Sequence, residues 1–165
     1  MIQFLQNIAR FALLTLIQVF VLNNIQFLGF INPYIYLLFI LLLPVRFPRW
    51  LSLFLAFVLG LIIDSFMNTL GVHTFSSVLI AYLRNPVIKL FVTIEEGANP
   101  EPSFASFGIA AMVKYTITLV IIHHLSFFLL ETFSFENFGL LMLKILLNAT
   151  VSSLIILGIL TFKQK

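Results

Sequence analysis

Long apolar runs, separated by short polar or proline-containing stretches, make up most of the 165-residue sequence. The clearest run is LSLFLAFVLGLIIDSFMNTL, at residues 51–70. A helix of this length, rising about 1.5 Å per residue, matches the roughly 30 Å hydrocarbon core of a bilayer. The pattern predicts one domain over residues 1–165, an all-α integral membrane protein with six transmembrane helices in a compact bundle, the spans being 8–30, 34–46, 51–70, 72–86, 104–130 and 138–162.

The short segment at residues 34–46 leaves two possibilities open. It follows Pro33 and contains Pro44, and proline suits the first turn of a helix but stops a helix in its interior. Its apolar run of about a dozen residues is shorter than the roughly 17 that a spanning helix needs. The segment is therefore either supported by neighbouring helices or prolonged through Pro44 toward Arg46.

The first span carries several amide side chains near its end, which are Gln18, Asn23, Asn24 and Gln26. Hydrocarbon contains no water to bond such groups, so an amide facing lipid is costly. The helix therefore either leaves the hydrocarbon near Asn23 or turns these amides toward other parts of the protein.

Composition agrees with a membrane location and argues against catalysis. The chain is 61% hydrophobic and 9% charged, with a mean hydropathy of +1.14, whereas soluble domains carry about 25% charged residues. It has no cysteine, which excludes disulfides and thiolate chemistry. Nucleophile-elbow, zinc-protease and phosphate-loop motifs are also missing. The sequence predicts no enzymatic activity, no cofactor or metal, and no nucleic-acid partner.

The basic residues near span ends all fall on one side if each of the six segments crosses the membrane. The positive-inside rule then places both termini and a loop at residues 87–103 in the cytoplasm, with Asn32, the turn at residues 68–71 and residues 131–136 outside. This agreement supports counting residues 34–46 as a crossing. The residues concerned are Arg10, Arg46, Arg49, Arg84, Lys89, Lys163 and Lys165.

The third span has one face of small and polar residues. Ala56, Gly60, Asp64 and Asn68 recur at intervals of four and therefore lie along one side of a helix. Small residues allow a neighbouring backbone to approach closely. An ionisable side chain within a span is costly and marks a functional site by default. This face is the predicted centre of function.

Other ionisable residues lie at a similar predicted depth in the fifth and sixth spans. We expect Asp64 to pair with Lys144, helped by a histidine or by Asn148, because pairing reduces the cost of each charge. The alternative is that Asp64 reaches the outer headgroups or becomes neutral. His123 and His124 are adjacent and project about 100° apart, which favours packing or hydrogen bonding over a metal pair.

Residues 32–84 carry an ordered set of short motifs, which are Pro33, Leu43-Pro44 followed by Arg46, Gly60 with Asp64, Leu70-Gly71 and Ala81-Tyr82-Leu83. This order resembles the MreD family of rod shape-determining proteins. That family has a proline-led second helix, a Leu-Pro end followed by basic residues, a Gly-x-x-x-Asp helix, a Leu-Gly turn and an Ala-Tyr-Leu ending. Two positions differ, since Ala56 stands where the family often has glycine and Asn68 stands in a turn that often contains glycine. The matching residues are Pro33, Leu43, Pro44, Arg46, Gly60, Asp64, Leu70, Gly71, Ala81, Tyr82 and Leu83.

The resemblance implies a six-helix protein of the bacterial cytoplasmic membrane that belongs to the cell-elongation complex. It implies binding to an MreC-like membrane-anchored protein and, through it, work with the transpeptidase and glycosyltransferase of lateral wall synthesis. It also implies a fold similar to the substrate-binding subunits of energy-coupling-factor transporters. The alternative is a small-solute-binding transporter subunit, and a homo-oligomer is compatible with either.

Overall fold

The computed structural model describes residues 2–25, 31–132 and 137–162 of the chain. Every regular element within these ranges is helical, which confirms the all-α prediction there. Helices long and apolar enough to cross a membrane occur at Leu5–Asn24, Arg49–Met67, Ile109–Thr132 and Phe138–Phe162. The elements are α1 (Ile2–Phe20), a 3₁₀ turn (Leu22–Asn24), α2 (Leu37–Leu41), α3 (Arg49–Met67), α4 (Val72–Phe91), α5 (Phe104–Phe107), α6 (Ile109–Thr132) and α7 (Phe138–Phe162).

The predicted and observed boundaries agree best for the last helix, which covers 138–162 in both. The first helix ends at Phe20, earlier than predicted, and residues 26–30 of that span lie outside the described ranges. The predicted fifth span is interrupted at Gly108, whose φ of 78° is a left-handed value that favours glycine.

The predicted end of the fourth helix at Pro86 is wrong. Helix α4 continues through this proline to Phe91, so the loop begins after residue 91 rather than at 87. A proline inside a helix removes one N–H bond. Membrane helices tolerate that loss where neighbouring groups satisfy the freed carbonyl.

The predicted second spanning helix is also wrong over most of its length. Only Leu37–Leu41 is helical, within a buried stretch that we call the central segment (residues 31–44). Tyr36, Leu37, Ile40 and Leu43 are completely buried. The segment is too short to satisfy its backbone as a lipid-facing helix, and its burial matches the alternative in which neighbouring helices support it.

The long helices pack in an order that leaves room for the central segment. Helix α1 packs on α3, α3 on α4, α4 on α6, and α6 on α7. Within the described ranges, α1 and α7 make few direct contacts. The central segment joins them, because Gln18 of α1 and Ser152 of α7 both bond to its backbone.

Helices α3 and α4 approach most closely at Gly60. A Cβ atom added there would lie 2.4 Å from the Thr74 Cα atom and 2.8 Å from the His73 carbonyl oxygen. Ala56, one turn earlier on the same face, is fully buried. The structure therefore confirms the prediction that this face admits a neighbouring backbone.

We expect Gly60→Ala to destabilise the protein by at least about 1–3 kcal/mol, because backbone atoms of α4 would have to move. The matched control is Gly158→Ala in α7, where an added Cβ meets nothing within 4 Å; it should stabilise the protein by up to about 1 kcal/mol, because alanine favours a helix interior over glycine. Unfolding by SDS titration from mild detergent measures both. Equal effects of the two substitutions would contradict close packing at Gly60.

Candidate functional site

Side chains of α7 bond to the backbone at the start of the central segment. The Asn32 N–H donates to Asn148 Oδ1 at 2.7 Å, and the Tyr34 N–H donates to Ser152 Oγ at 3.0 Å. Ser152 Oγ also lies 3.2 Å from His124 Nε2. Asn148 therefore supports the chain backbone rather than the predicted pair of charges.

Gln18 of α1 bonds to the same part of the segment from the opposite side. Its Oε1 accepts the Ile35 N–H at 2.9 Å, and its Nε2 donates to the Pro33 carbonyl at 3.0 Å and to Asn23 Oδ1 at 2.9 Å. Gln18 is completely buried, and Asn23 is buried as well. For these two residues, the amides of the first span face protein rather than lipid.

Arg84 of α4 and Tyr115 of α6 bond to the carbonyl groups at the other end of the segment. Arg84 donates to the carbonyls of Leu43 and Pro44, and the Tyr115 hydroxyl donates to the Leu41 carbonyl at 2.9 Å. Arg84 is only 2% exposed. This arginine, counted in the sequence as a charge near the headgroups, has a structural role inside the bundle.

Arg10 of α1 links the end of the segment to the loop that follows α4. Its guanidinium donates to the Leu42 carbonyl and to Glu101, each at 3.3 Å. The loop also meets the chain after the segment, since the Arg46 N–H donates to Asn99 Oδ1 at 2.7 Å. This loop therefore docks on the bundle instead of being fully solvated.

Asp64 caps the N-terminus of α4. Its carboxylate accepts the backbone N–H groups of His73 and Thr74 at 3.0 and 2.9 Å, which are the second and third of that helix. It also accepts the hydroxyls of Thr69 and Thr74 at 2.5 and 2.6 Å, and lies 3.1 Å from His73 Nδ1. Gly71 is the N-cap residue and offers no side chain. The α3 acid therefore replaces a local cap and complements the helix dipole.

The predicted pair of Asp64 with Lys144 is not formed. Both carboxylate oxygens are bonded to the α3–α4 turn, the only ion-pair partner of Asp64 in the described ranges is His73, and Lys144 is exposed on α7. Helix ends present free N–H groups that stabilise a carboxylate without a cation. Similar depth along two helices does not bring their side chains together when the helices are not neighbours.

Three histidines surround the ring of Tyr34. Ring centroids of His73, His123 and His124 lie 5.7, 5.9 and 5.3 Å from it, and Phe127 is 5.3 Å away. Both adjacent histidines of α6 therefore face the central segment. Their 100° separation does not prevent this, because the segment crosses in front of both. We call these five residues the aromatic cluster.

The histidines form hydrogen bonds with well-defined partners. His123 Nε2 lies 2.6 Å from the Tyr36 hydroxyl, and His124 Nδ1 donates to the Val120 carbonyl at 2.8 Å. A neutral His124 then accepts at Nε2, so Ser152 donates to it while accepting the N–H of Tyr34. The hydrogen-bonding role predicted for the two histidines is confirmed.

Some polar atoms near this cluster have no hydrogen-bond partner within the described residues. They include the second ring nitrogens of His73 and His123 and the hydroxyl of Ser76. All three residues are buried, on α4 and α6. Buried polar atoms of this kind are commonly satisfied by internal water or a bound polar molecule.

The remaining family-motif residues have local roles. The carbonyls of Pro33 and Pro44 accept bonds from Gln18 and Arg84, and the Tyr82 ring lies 4.5 Å from the Arg49 guanidinium. Sequence reasoning did not identify Gln18, Arg84 or Ser152 as site residues. The signal for Gln18 and Ser152 was present, since each is a polar residue inside an apolar run.

No family model, curated protein or solved structure matches this chain.

The structure predicts that Asp64 and Lys144 act independently. Asp64→Ala should cost at least about 2 kcal/mol, because it leaves two helix N–H groups without their acceptor. Lys144→Met should change stability by less than about 0.5 kcal/mol, and the double variant should equal the sum within about 0.5 kcal/mol. The same SDS titration measures the free energy of unfolding of the wild type, the two single variants and the double variant. If the double variant loses clearly less stability than the sum of the two single variants, Asp64 and Lys144 do interact and the charge pair is supported.

Proposed function

We propose that the protein is a non-enzymatic scaffold of the bacterial cell-elongation complex, of the MreD kind. In this role it binds an MreC-like membrane-anchored protein and thereby supports the transpeptidase and glycosyltransferase of lateral wall synthesis. The order of the motifs in residues 32–84 is the reason for proposing this family. The observation that favours a scaffold is that the chain fills its own interior with the central segment, whose polar partners are occupied with backbone groups.

The interior chemistry also supports a non-catalytic role. Asp64 is the acid predicted to be functional, and hydrogen bonds within the α3–α4 turn occupy both of its oxygens. Arg84 is likewise occupied with the Leu43 and Pro44 carbonyls. A catalytic acid or base needs access to a substrate proton, whereas these groups are engaged in holding the fold.

We further propose six membrane crossings, with the central segment as the second, and a bundle related to energy-coupling-factor substrate-binding subunits. Non-helical backbone rises up to about 3.3 Å per residue, more than twice the rise of a helix, so a short segment can cover a large depth. Its bonds run in order from Gln18, near the end of α1, to Arg84, near the end of α4. That order is consistent with passage through the bundle.

Both termini should therefore be cytoplasmic. A reporter enzyme that is active only outside the membrane should be silent when fused after Lys165 and active when inserted between residues 133 and 136. A cytoplasmic reporter at the same two positions provides the reciprocal control. Outside activity at the C-terminus would contradict the proposed orientation, since six crossings leave both ends on one side and the positive-inside rule places that side in the cytoplasm.

Partner binding should use the outward faces of the bundle rather than its amides. Gln18 and Asn23 face inward, while Leu13, Leu16 and Phe20 of α1 are exposed and apolar. Contacts between membrane helices depend on packing, because lipid solvates apolar side chains equally well.

We expect the purified protein to associate with the MreC-like protein of the same organism in native mass spectrometry. An unrelated single-span membrane protein at the same concentration is the control. Absence of a specific complex would remove the main support for the scaffold. If the scaffold proposal is wrong, depletion of the protein in its native bacterium should also leave cell shape unchanged.

A small-solute-binding subunit is the second candidate, and the unpartnered atoms beside the aromatic cluster favour it. His73 and Ser76 of α4 and His123 of α6 present polar atoms that a buried solute could bond. Gentle detergent extraction distinguishes the two functions. A solute binder retains a small molecule, whereas a scaffold retains a membrane-anchored protein.

A further inference from the structure

A basic cavity of about 680 Å³ lies between the start of α3 and the end of α4. Arg46, Arg49 and Lys89 line it together with Asn85, and the three cationic side chains are exposed. The chain around Arg46 is held in place by its backbone bond to Asn99. Arg49 is held by its position over the Tyr82 ring. The cavity thus brings cations from two helices and a loop to one place.

Carboxylates do not neutralise these cations. No acidic residue lines the cavity, and within the described ranges none of the three forms an ion pair. Glu95 and Glu96 follow the lining residue Ile94 in sequence but are not part of the lining, and both are exposed. Three unpaired cations around one cavity repel each other, and an anionic group that enters between them relieves that repulsion.

The rest of the cavity wall is apolar, and large apolar side chains next to it are exposed. Phe47, Ile88 and Val92 contribute to the lining. Trp50 and Leu90, the neighbours in sequence of Arg49 and Lys89, are 71% and 73% exposed. Tryptophan beside arginine is typical of the headgroup level of a bilayer. The occupant should therefore carry an anionic head and hydrocarbon tails.

We propose that this cavity binds an anionic phospholipid, with its phosphate between Arg46, Arg49 and Lys89 and its acyl chains along the apolar wall. Basic pockets between membrane helices on the cytoplasmic side bind such headgroups in other proteins. A second cavity of about 560 Å³ shares Arg46 but has no other cation in its lining. The first cavity is therefore the better site for an anionic headgroup. The site is independent of any protein partner.

Native mass spectrometry of the full chain in mild detergent tests the proposal, with phosphatidylglycerol and phosphatidylcholine of identical acyl chains as probes. The wild type should bind phosphatidylglycerol in clear preference. Arg46→Gln with Lys89→Gln should weaken that binding roughly 10-fold or more, since each cation contributes substantially near an anionic headgroup. Arg49 is left intact because its contact with Tyr82 also supports packing.

The matched control is Lys114→Gln with Lys144→Gln, which removes the same charge from exposed positions on α6 and α7. It should bind phosphatidylglycerol as the wild type does, with an unchanged unfolding midpoint in both double variants. Equal loss in the two double variants, or equal binding of the two lipids, would overturn the proposal. Displacement of the lipid by an equal concentration of inorganic phosphate would also overturn it, because the cavity would then recognise a soluble anion.

Discussion

The fold depends on hydrogen bonding to a buried backbone that is mostly not helical. Only five residues of the central segment are helical, its internal backbone bonds are confined to residues 35–42, and hydrocarbon offers no water to the remaining groups. The surrounding helices therefore supply side chains for this purpose. Gln18, Arg84, Tyr115 and Ser152 bond to the segment from α1, α4, α6 and α7. Their polar positions in apolar helices follow from this one requirement.

The sequence predicted the helices that are long and apolar, and it failed where local signals compete with packing. The bounds predicted for the last helix match the observed ones, because its long, mostly apolar run contains no proline. Pro86 predicts a helix end, yet α4 continues through it to Phe91 in the packed structure. The central segment was read as a helix because apolar length alone does not distinguish a lipid-facing helix from a buried segment supported by neighbours.

The candidate site was predicted in part. The close approach at Gly60 follows from the spacing of small residues on one helical face, which sequence alone reveals. The partner of Asp64 could not be derived in this way. Distance along a helix indicates the depth of a side chain but not its neighbours. The observed partners of Asp64 are free N–H groups at the start of the next helix. A carboxylate near a tight turn between two helices is a signal that a cap, rather than a cation, stabilises it.

The bonding of the central segment also has a consequence for the order of biogenesis. Its partners extend from Arg10 to Ser152 along the chain, so the segment is synthesised early and completed last. A ribosome that has not yet released α7 leaves the Asn32 and Tyr34 N–H groups without their native acceptors. Until α7 has packed, these two N–H groups need other acceptors, because hydrocarbon supplies none. Packing of α7 is therefore the step that completes the hydrogen bonding of the central segment.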